Sequence, residues 1–313
     1  MLNPIHLRTL VTVIRTGSFA DAARTLGYTG SAVSQQIAAL ERAVHMPLFE
    51  REAHSIRPTP AGESLATHAR DVLAGLVALE EQVAGVNAGE DGRLRVGSFP
   101  TASERLVPQW LAGHRERFPR LEVRLDEGEP DQTLAMLMDG VLDLALTYRY
   151  DLVPYPLPKG LRQLPLLDED LMVLVPTAHR FADASQVDLG DLASEVWINT
   201  SEGTACATCL RRMAGGHDFE PTIGHRSNNY SVIGGLVAAG LGVALVPALG
   251  YREQDGVRAL SIADTTVRRH VNLVHHGSRA GAAVGHAGEA LAVAAAELAE
   301  AVPGLHVPAP AKH

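Results

Sequence analysis

The sequence predicts an α+β multidomain protein: an N-terminal winged helix-turn-helix, a long linker helix and a C-terminal two-lobed α/β domain. Three observations carry that expectation. Residues 17–57 read as two short helices around a glycine-bearing turn, followed by a β-ribbon. Apolar residues between Leu65 and Val86 recur at alternating steps of four and three. From Arg93 onward, short apolar strands alternate with helical stretches, the pattern of βαβ units.

Composition narrows the function classes. The chain has 313 residues, enough for two or three domains, and no apolar run of membrane-spanning length. Two cysteines exclude a disulfide framework and fit a reducing cytoplasm. The net charge of −9 is divided unevenly: residues 1–58 carry six arginines against four acids, and the remainder 21 basic against 32 acidic residues. Only the N-terminal segment suits a polyanion, and modestly, so useful affinity requires several copies on one site.

In chain order, a first helix runs from Pro4 to Thr16 with Leu7, Leu10, Val11 and Ile14 inward. Gly17 ends it, and Ser18 caps a second helix over Phe19–Leu26, closed by Gly27. Tyr28, Thr29 and Gly30 form the turn. The third helix starts near Ser31, with Val33, Ile37, Leu40 and Val44 inward and Ser34, Gln35, Gln36 and Arg42 on the polar face. This geometry places the third helix in a DNA major groove. The candidate DNA contacts are Ser31, Ala32, Ser34 and Gln35 on the helix, and Arg51, His54 and Arg57 on a wing formed by residues 48–52 and 55–58. Gln35 has the bidentate chemistry that reads adenine.

Residues 4–62 resemble the N-terminal domain of the LysR-type transcriptional regulators. The resemblance rests on Gly17-Ser18-Phe19 with Ala22-Ala23, Leu26-Gly27-Tyr28-Thr29, Ser31 through Ile37, Leu40-Glu41, Pro47 through Arg51, and Thr59 through Gly62. Gly30 stands where the family usually carries Gln or Pro, and His54 where its wing often carries Arg. The resemblance implies a regulator that binds promoter DNA as a homodimer or homotetramer and answers to a small effector. It implies no cofactor and no enzymatic activity.

Thr59 caps the linker helix, and residues 59–89 form the dimerisation segment, with a seam of Leu65, Ala69, Val72, Leu76, Leu79, Val83 and Val86. The pairing surface lies within residues 60–88. Residues 93–301 form the two-lobed domain. Lobe I takes about 93–162 and 267–301, lobe II about 163–266, and the chain crosses near Arg162 and Thr266, as in periplasmic binding proteins. Residues 302–313 read as a disordered tail.

Open α/β lobes bind ligands at strand C-termini beside helix N-termini. Four segments fit: Ser98, Thr101 and Ser103 after the first strand; Thr147 and Tyr148 at the end of the third; Ser201 and Thr204 before the next helix; and Asn229 at a later helix start. In the family these segments line the effector cleft, and helix N-termini favour an anionic metabolite or an amino acid. Cys206 and Cys209 offer an alternative, a thiol-redox-sensing regulator built on a low-pKa pair, since peroxide-sensing family members keep redox cysteines in a comparable region at longer spacing. A thiol redox enzyme or a solute-binding protein would leave the first 90 residues unexplained. Fourteen histidines form no metal-ligand spacing, and His275 and His276 point to opposite faces of one strand.

Overall fold

The computed structural model describes residues 2–52, 55–87, 92–263, 265–277 and 281–309. The wing contact expected at His54 lies outside them. The head is built from α1 (Pro4–Thr16), α2 (Phe19–Leu26), α3 (Gly30–Val44), and the antiparallel ribbon of β1 (Phe49–Glu52) and β2 (Ser55–Pro58). Ser18 Oγ accepts hydrogen bonds from the Ala20 and Asp21 amides, and Gly17 and Gly27 close α1 and α2 in the left-handed conformation. The third helix starts one residue earlier than the sequence suggests. Thr29 is the cap, its Oγ1 accepting from the Ala32 amide at 3.2 Å, and Ser31 lies inside the first turn.

Leu10, Val33, Ile37, Leu40 and Leu48 form the buried centre of the head. The linker helix α4 (Pro60–Asn87) completes that core with Ala66, Ala69 and Leu73. Thr59 Oγ1 accepts from the Gly62 amide and donates to the Pro47 carbonyl, which locks the ribbon to α4. Gly62 is required by close approach, because a Cβ there would meet the Leu48 carbonyl oxygen at 2.3 Å. The predicted seam therefore divides. Leu65 and Ala69 serve the head, while Val72 and Leu79 stand 51% and 55% exposed, as a surface awaiting a partner helix would.

Among the described residues the C-terminal domain has 11 strands in one sheet. Lobe I holds β3 (Gly92–Ser98), α5 (Pro100–Arg117), β4 (Leu121–Glu127), α6 (Pro130–Met138) and β5 (Leu144–Tyr150). Next comes β6 (Leu161–Pro176), followed by the lobe II elements β7 (Gln186–Val187), β8 (Val196–Asn199), α7 (Ala205–Gly215), β9 (Thr222–Arg226), α8 (Tyr230–Ala238), β10 (Val243–Pro247) and β11 (Val257–Ile262). The chain returns through β12 (Arg268–His276), α9 (Ala282–Ala301) and β13 (Leu305–His306). The main order is β4-β3-β5-β12-β6-β10-β8-β9, parallel within β4-β3-β5 and within β10-β8-β9.

The lobes share one strand. Residues 161–170 of β6 pair with β12, and residues 171–176 with β10 and β11. The first crossing thus falls at Asp170–Leu171, later than Arg162, because a single 16-residue strand serves both lobes. The expected disordered tail is also corrected. Leu305 and His306 pair with Glu169 and Asp168, Leu305 is buried in the lobe I core, and His306 Nε2 lies 2.8 Å from Asp170 Oδ2. No helix among the described residues is long and apolar enough to cross a membrane.

Candidate nucleic-acid interface and effector cleft

On α3 the inward stripe of Val33, Ile37 and Leu40 leaves Ser31, Gln35 and Arg42 exposed in a row. Ala32 and Ser34 flank that row, half-buried. Gln36 is withdrawn from it, since its Oε1 accepts from Thr9 Oγ1 at 2.6 Å and ties α3 to α1. His6, Ala32, Gln35 and Arg42 border an open groove along this face. Arg57 is exposed on β2, and the side chain of Arg51 lies outside the described residues. An exposed row with an amide at its centre and guanidinium groups at its margins can meet base edges and phosphates together.

The second site lies between the lobes. Its centre is Arg269 on β12, with only 2% of its side chain exposed. Glu169 on β6, fully buried, accepts from Arg269 Nε at 2.7 Å and Nη2 at 3.0 Å, and also from the Leu249 amide. Burial alone would lower the Arg269 pKa, but Glu169 outweighs it and raises the value. Arg269 Nη2 also donates to Thr101 Oγ1 at 2.8 Å, and its guanidinium packs over the rings of Phe99 and Tyr148. Across this group, the Tyr148 hydroxyl donates to Glu129 Oε2 at 2.6 Å. Burial and then Glu129 push the phenol pKa up, so it remains a donor.

Lobe II supplies the facing wall. Thr204 caps α7 by accepting from the Ala207 amide, and its hydroxyl lies 2.6 Å from that of Thr200. Asn228 Oδ1 accepts from the Ser201 amide, and Tyr230 and Cys206 complete the lining. The enclosed cavity holds about 20 Å³, room for about one water. Its acidic and basic lining is Arg269, paired with Glu169, and Glu129, beside the weakly acidic Tyr148, Tyr230 and Cys206.

Of the residues read from the sequence, Thr101, Tyr148, Thr204 and Cys206 line this cavity. Ser98 is buried behind it and bonds the Phe99 carbonyl, Ser103 Oγ is buried without a partner among the described residues, and Thr147 is buried in β5. Ser201 and Asn229 are exposed beside it, Asn229 spending its side chain on capping α8. The sequence reading missed Arg269, Glu169 and Glu129. A signal was present: Arg269 alternates with buried Val271 and Leu273, and Glu169 with Leu167, Leu171 and Val173, so opposite charges occupy inward positions of adjacent strands.

The cysteines of the redox alternative both lie on α7. Cys206 and Cys209 are free and buried. Burial, then Cys206, pushes the Cys209 thiol up to about 12, and Arg212 opposes this only weakly while its guanidinium bonds the Leu152 carbonyl.

A DNA-reading head on a long helix, joined to two α/β lobes that enclose a buried polar cleft, defines a ligand-responsive regulator class. The comparisons identify the family. Residues 5–63 match the bacterial regulatory helix-turn-helix protein, lysR family, and residues 87–295 match the LysR substrate binding domain. The chain belongs to the LysR-type transcriptional regulators. It is 30% identical over 281 residues to the DNA-binding transcriptional dual regulator OxyR of Escherichia coli, covering 88% of this chain and 89% of that one. It is 30% identical over 279 residues to the HTH-type transcriptional regulator CfxR of Cupriavidus necator, covering 88% and 86%. Among solved structures, a Corynebacterium glutamicum OxyR cysteine mutant with bound hydrogen peroxide is 27% identical with a TM-score of 0.60, covering 100% of this chain and 99% of that one. Full-length CbnR in complex with its target DNA shares the fold, with a TM-score of 0.57, 20% identity, and coverage of 93% and 99%.

Proposed function

We propose that this LysR-type regulator works in the cytoplasm, reads promoter DNA through Ser31, Gln35 and Arg42, and is gated by a small polar effector bound between the lobes against Arg269, Tyr148, Thr204 and Glu129. The observation that carries the reading is the buried Arg269–Glu169 pair. A charge pair held in a desolvated position at a lobe boundary suits a ligand site better than a stability device, because apolar residues of similar volume would stabilise as well or better. Of the two effector classes expected, an anion and an amino acid, the lining favours the amino acid. Glu129 repels a simple anion but attracts an ammonium group, while the Arg269 guanidinium and the Thr101 and Thr204 hydroxyls receive a carboxylate. A cavity of about 20 Å³ is too small for such a ligand, so binding requires it to widen. The exposed Val72 and Leu79 support dimerisation through α4.

The test has two parts. Genomic fragments bound by the protein are recovered and sequenced, and their affinity is measured for wild type and Gln35→Ala at two salt concentrations. Thermal stabilisation by the common amino acids is then measured for wild type and Tyr148→Phe. Salt-sensitive specific binding, relaxed by Gln35→Ala, together with stabilisation lost in Tyr148→Phe, supports the function. Absence of specific DNA binding removes it.

A second reading, redox sensing, is favoured by the position of Cys206 on the wall of a cavity of about 20 Å³. There a peroxide would oxidise the Cys206 thiol to a sulfenic acid with release of water, and the Cys209 thiol would displace a second water to form a disulfide. Two features oppose it. Cys209 is held as the unreactive thiol, and a bond between positions i and i+3 of α7 joins nothing across the cleft. A full peroxide response from Cys206→Ser in cells would end this reading.

A further inference from the structure

Two contacts lie at opposite ends of α6, one in the effector cleft and one on the DNA-reading head, and the second has no role in the function as described so far. At its N-terminal end, Glu129 occupies the capping position, yet its side chain makes no capping hydrogen bond. It turns into the cleft instead and accepts from Tyr148. Glutamate is not one of the short side chains that ordinarily cap a helix, and here its carboxylate, close to the positive end of the helix dipole, is committed to the cleft. At the C-terminal end, Asp139 leaves the lobe altogether. Its Oδ2 lies 2.8 Å from Arg15 Nε, in the last turn of α1, and its Oδ1 3.8 Å from Arg70 Nε on α4. Both partners belong to the DNA-reading head and its helix. The carboxylate is largely buried between them, with 12% of its side chain exposed.

The helix between these ends is short and stiff. Its nine residues span about 13 Å. Leu134 and Leu137 are buried against Leu142, Ala145, Leu161 and Val274, which fixes the rod to β5, β6 and β12. The turn that follows is pinned as well, with Arg95 Nη1 donating to the Gly140 carbonyl and Arg95 Nη2 pairing with Asp143 Oδ1 at 2.5 Å. A shift of the α6 backbone at Glu129 would therefore move this stiff helix as one piece, with Asp139 at its other end.

We propose that α6 is the mechanical link between the cleft and the DNA-reading head, with Glu129 as its sensing end and the Asp139 clamp on Arg15 and Arg70 as its transmitting end. A ligand group that takes over the Glu129 carboxylate from Tyr148 lets the N-terminal end shift and disturbs the clamp. The proposal rests on the cleft being the effector site and adds the route by which its occupancy reaches DNA. Glu129 is a ligand contact and Asp139 a positioning residue in this scheme, and the coupling is reciprocal.

The test is amide hydrogen exchange on the full chain without ligand, for wild type, Glu129→Gln, Asp139→Asn and the exchanged pair Arg15→Asp with Asp139→Arg. The expected result is that Glu129→Gln speeds exchange in residues 5–17 and 66–74 by about fivefold or more, the lower range of ordinary coupling between sites. Reciprocally, Asp139→Asn speeds exchange in residues 145–150, and the exchanged pair restores wild-type protection at the head. An effect of Glu129→Gln confined to the cleft, or of Asp139→Asn confined to the head, overturns the link. Failure of the exchanged pair to restore protection overturns the clamp. Asp139→Glu keeps the charge and separates clamp loss from local unfolding of α6. Because no ligand is present, failure here leaves the effector cleft standing, and a cleft that binds no amino acid leaves the exchange result intact.

Discussion

Replacing Arg269 by Met tests the reading of the cleft most directly. Arg269 and Glu169 are among the most deeply buried charged groups described, and Glu169 receives only two protein donors, the guanidinium and the Leu249 amide. Removing the guanidinium leaves a buried carboxylate with a single amide, and breaking such a pair costs about 3–5 kcal/mol. In a domain of this size each kcal/mol shifts Tm by roughly 2–4 °C, so the expected loss is about 6–20 °C. The double variant Arg269→Met, Glu169→Leu removes both charges, and its expected stability lies within about 1 kcal/mol of wild type or above it. The assay is denaturant unfolding of wild type, both single variants and the double variant, with Trp110 reporting on the lobe I core, where it is fully buried. The double variant should also lose ligand-induced stabilisation while remaining folded. A single variant that loses less than about 1 kcal/mol, or a double variant as unstable as the single, would show that the pair is not the desolvated unit described here.

Gln35→Ala is expected to weaken discrimination at its base position by about 1–3 kcal/mol while leaving the salt dependence unchanged, and Arg42→Ala to weaken all sequences alike and flatten the salt slope; gel shifts on the recovered fragments distinguish the two. His114, buried between Trp110 and Phe118, has neither ring nitrogen partnered among the described residues, and burial, then His286, lowers its pKa. The folded state holds it neutral while the unfolded chain takes up a proton at about pH 6.5. Stability is therefore lost as pH falls below about 6.5, and His114→Phe should remove part of that loss in unfolding measurements between pH 5 and 8. With its thiol pushed up to about 12, Cys209 should resist iodoacetamide at pH 8 in the folded protein and react once it is unfolded.

What the sequence made legible follows from the range of the forces involved. Ser18 accepts from amides two and three residues on, and Gly17 donates to the Val13 carbonyl four residues back, so the head's caps could be read directly. Val33, Ile37 and Leu40 face inward because helical periodicity leaves them no alternative. The seam in α4 was legible as a pattern but not in its division, since one apolar stripe suits an intramolecular core at Ala69 and an intermolecular one at Val72 equally well. The cleft was harder to read. Thr101 and Tyr148 could be placed because strand ends and helix starts are local signals. Arg269 and Glu169 lie 100 positions apart, and the register that brings them together is set by the full β6–β12 ladder. Leu305 was misread for the same reason. Proline and glycine around it indicate a tail, and only the pairing with Glu169 shows that the chain continues into the lobe I core.

The position of the shared strand explains how a small ligand can reach a distant head. The lobes meet at Asp170–Leu171 of β6 and at the return before Arg268, so a rotation between them would be taken up there. Glu169 lies one residue from that junction, and Arg269 is held to it in register. The charge pair thus sits at the junction of the lobes, and a ligand bridging Arg269 and Thr204 would gain affinity only in one range of lobe separation. That differential affinity is all the ligand can contribute to the equilibrium. A ligand that contacts lobe I alone, through Tyr148 and Arg269, and leaves Glu129 bonded to Tyr148 would bind both arrangements equally and shift neither. Effector strength should therefore follow contact with Thr204 and displacement of Glu129 rather than total affinity.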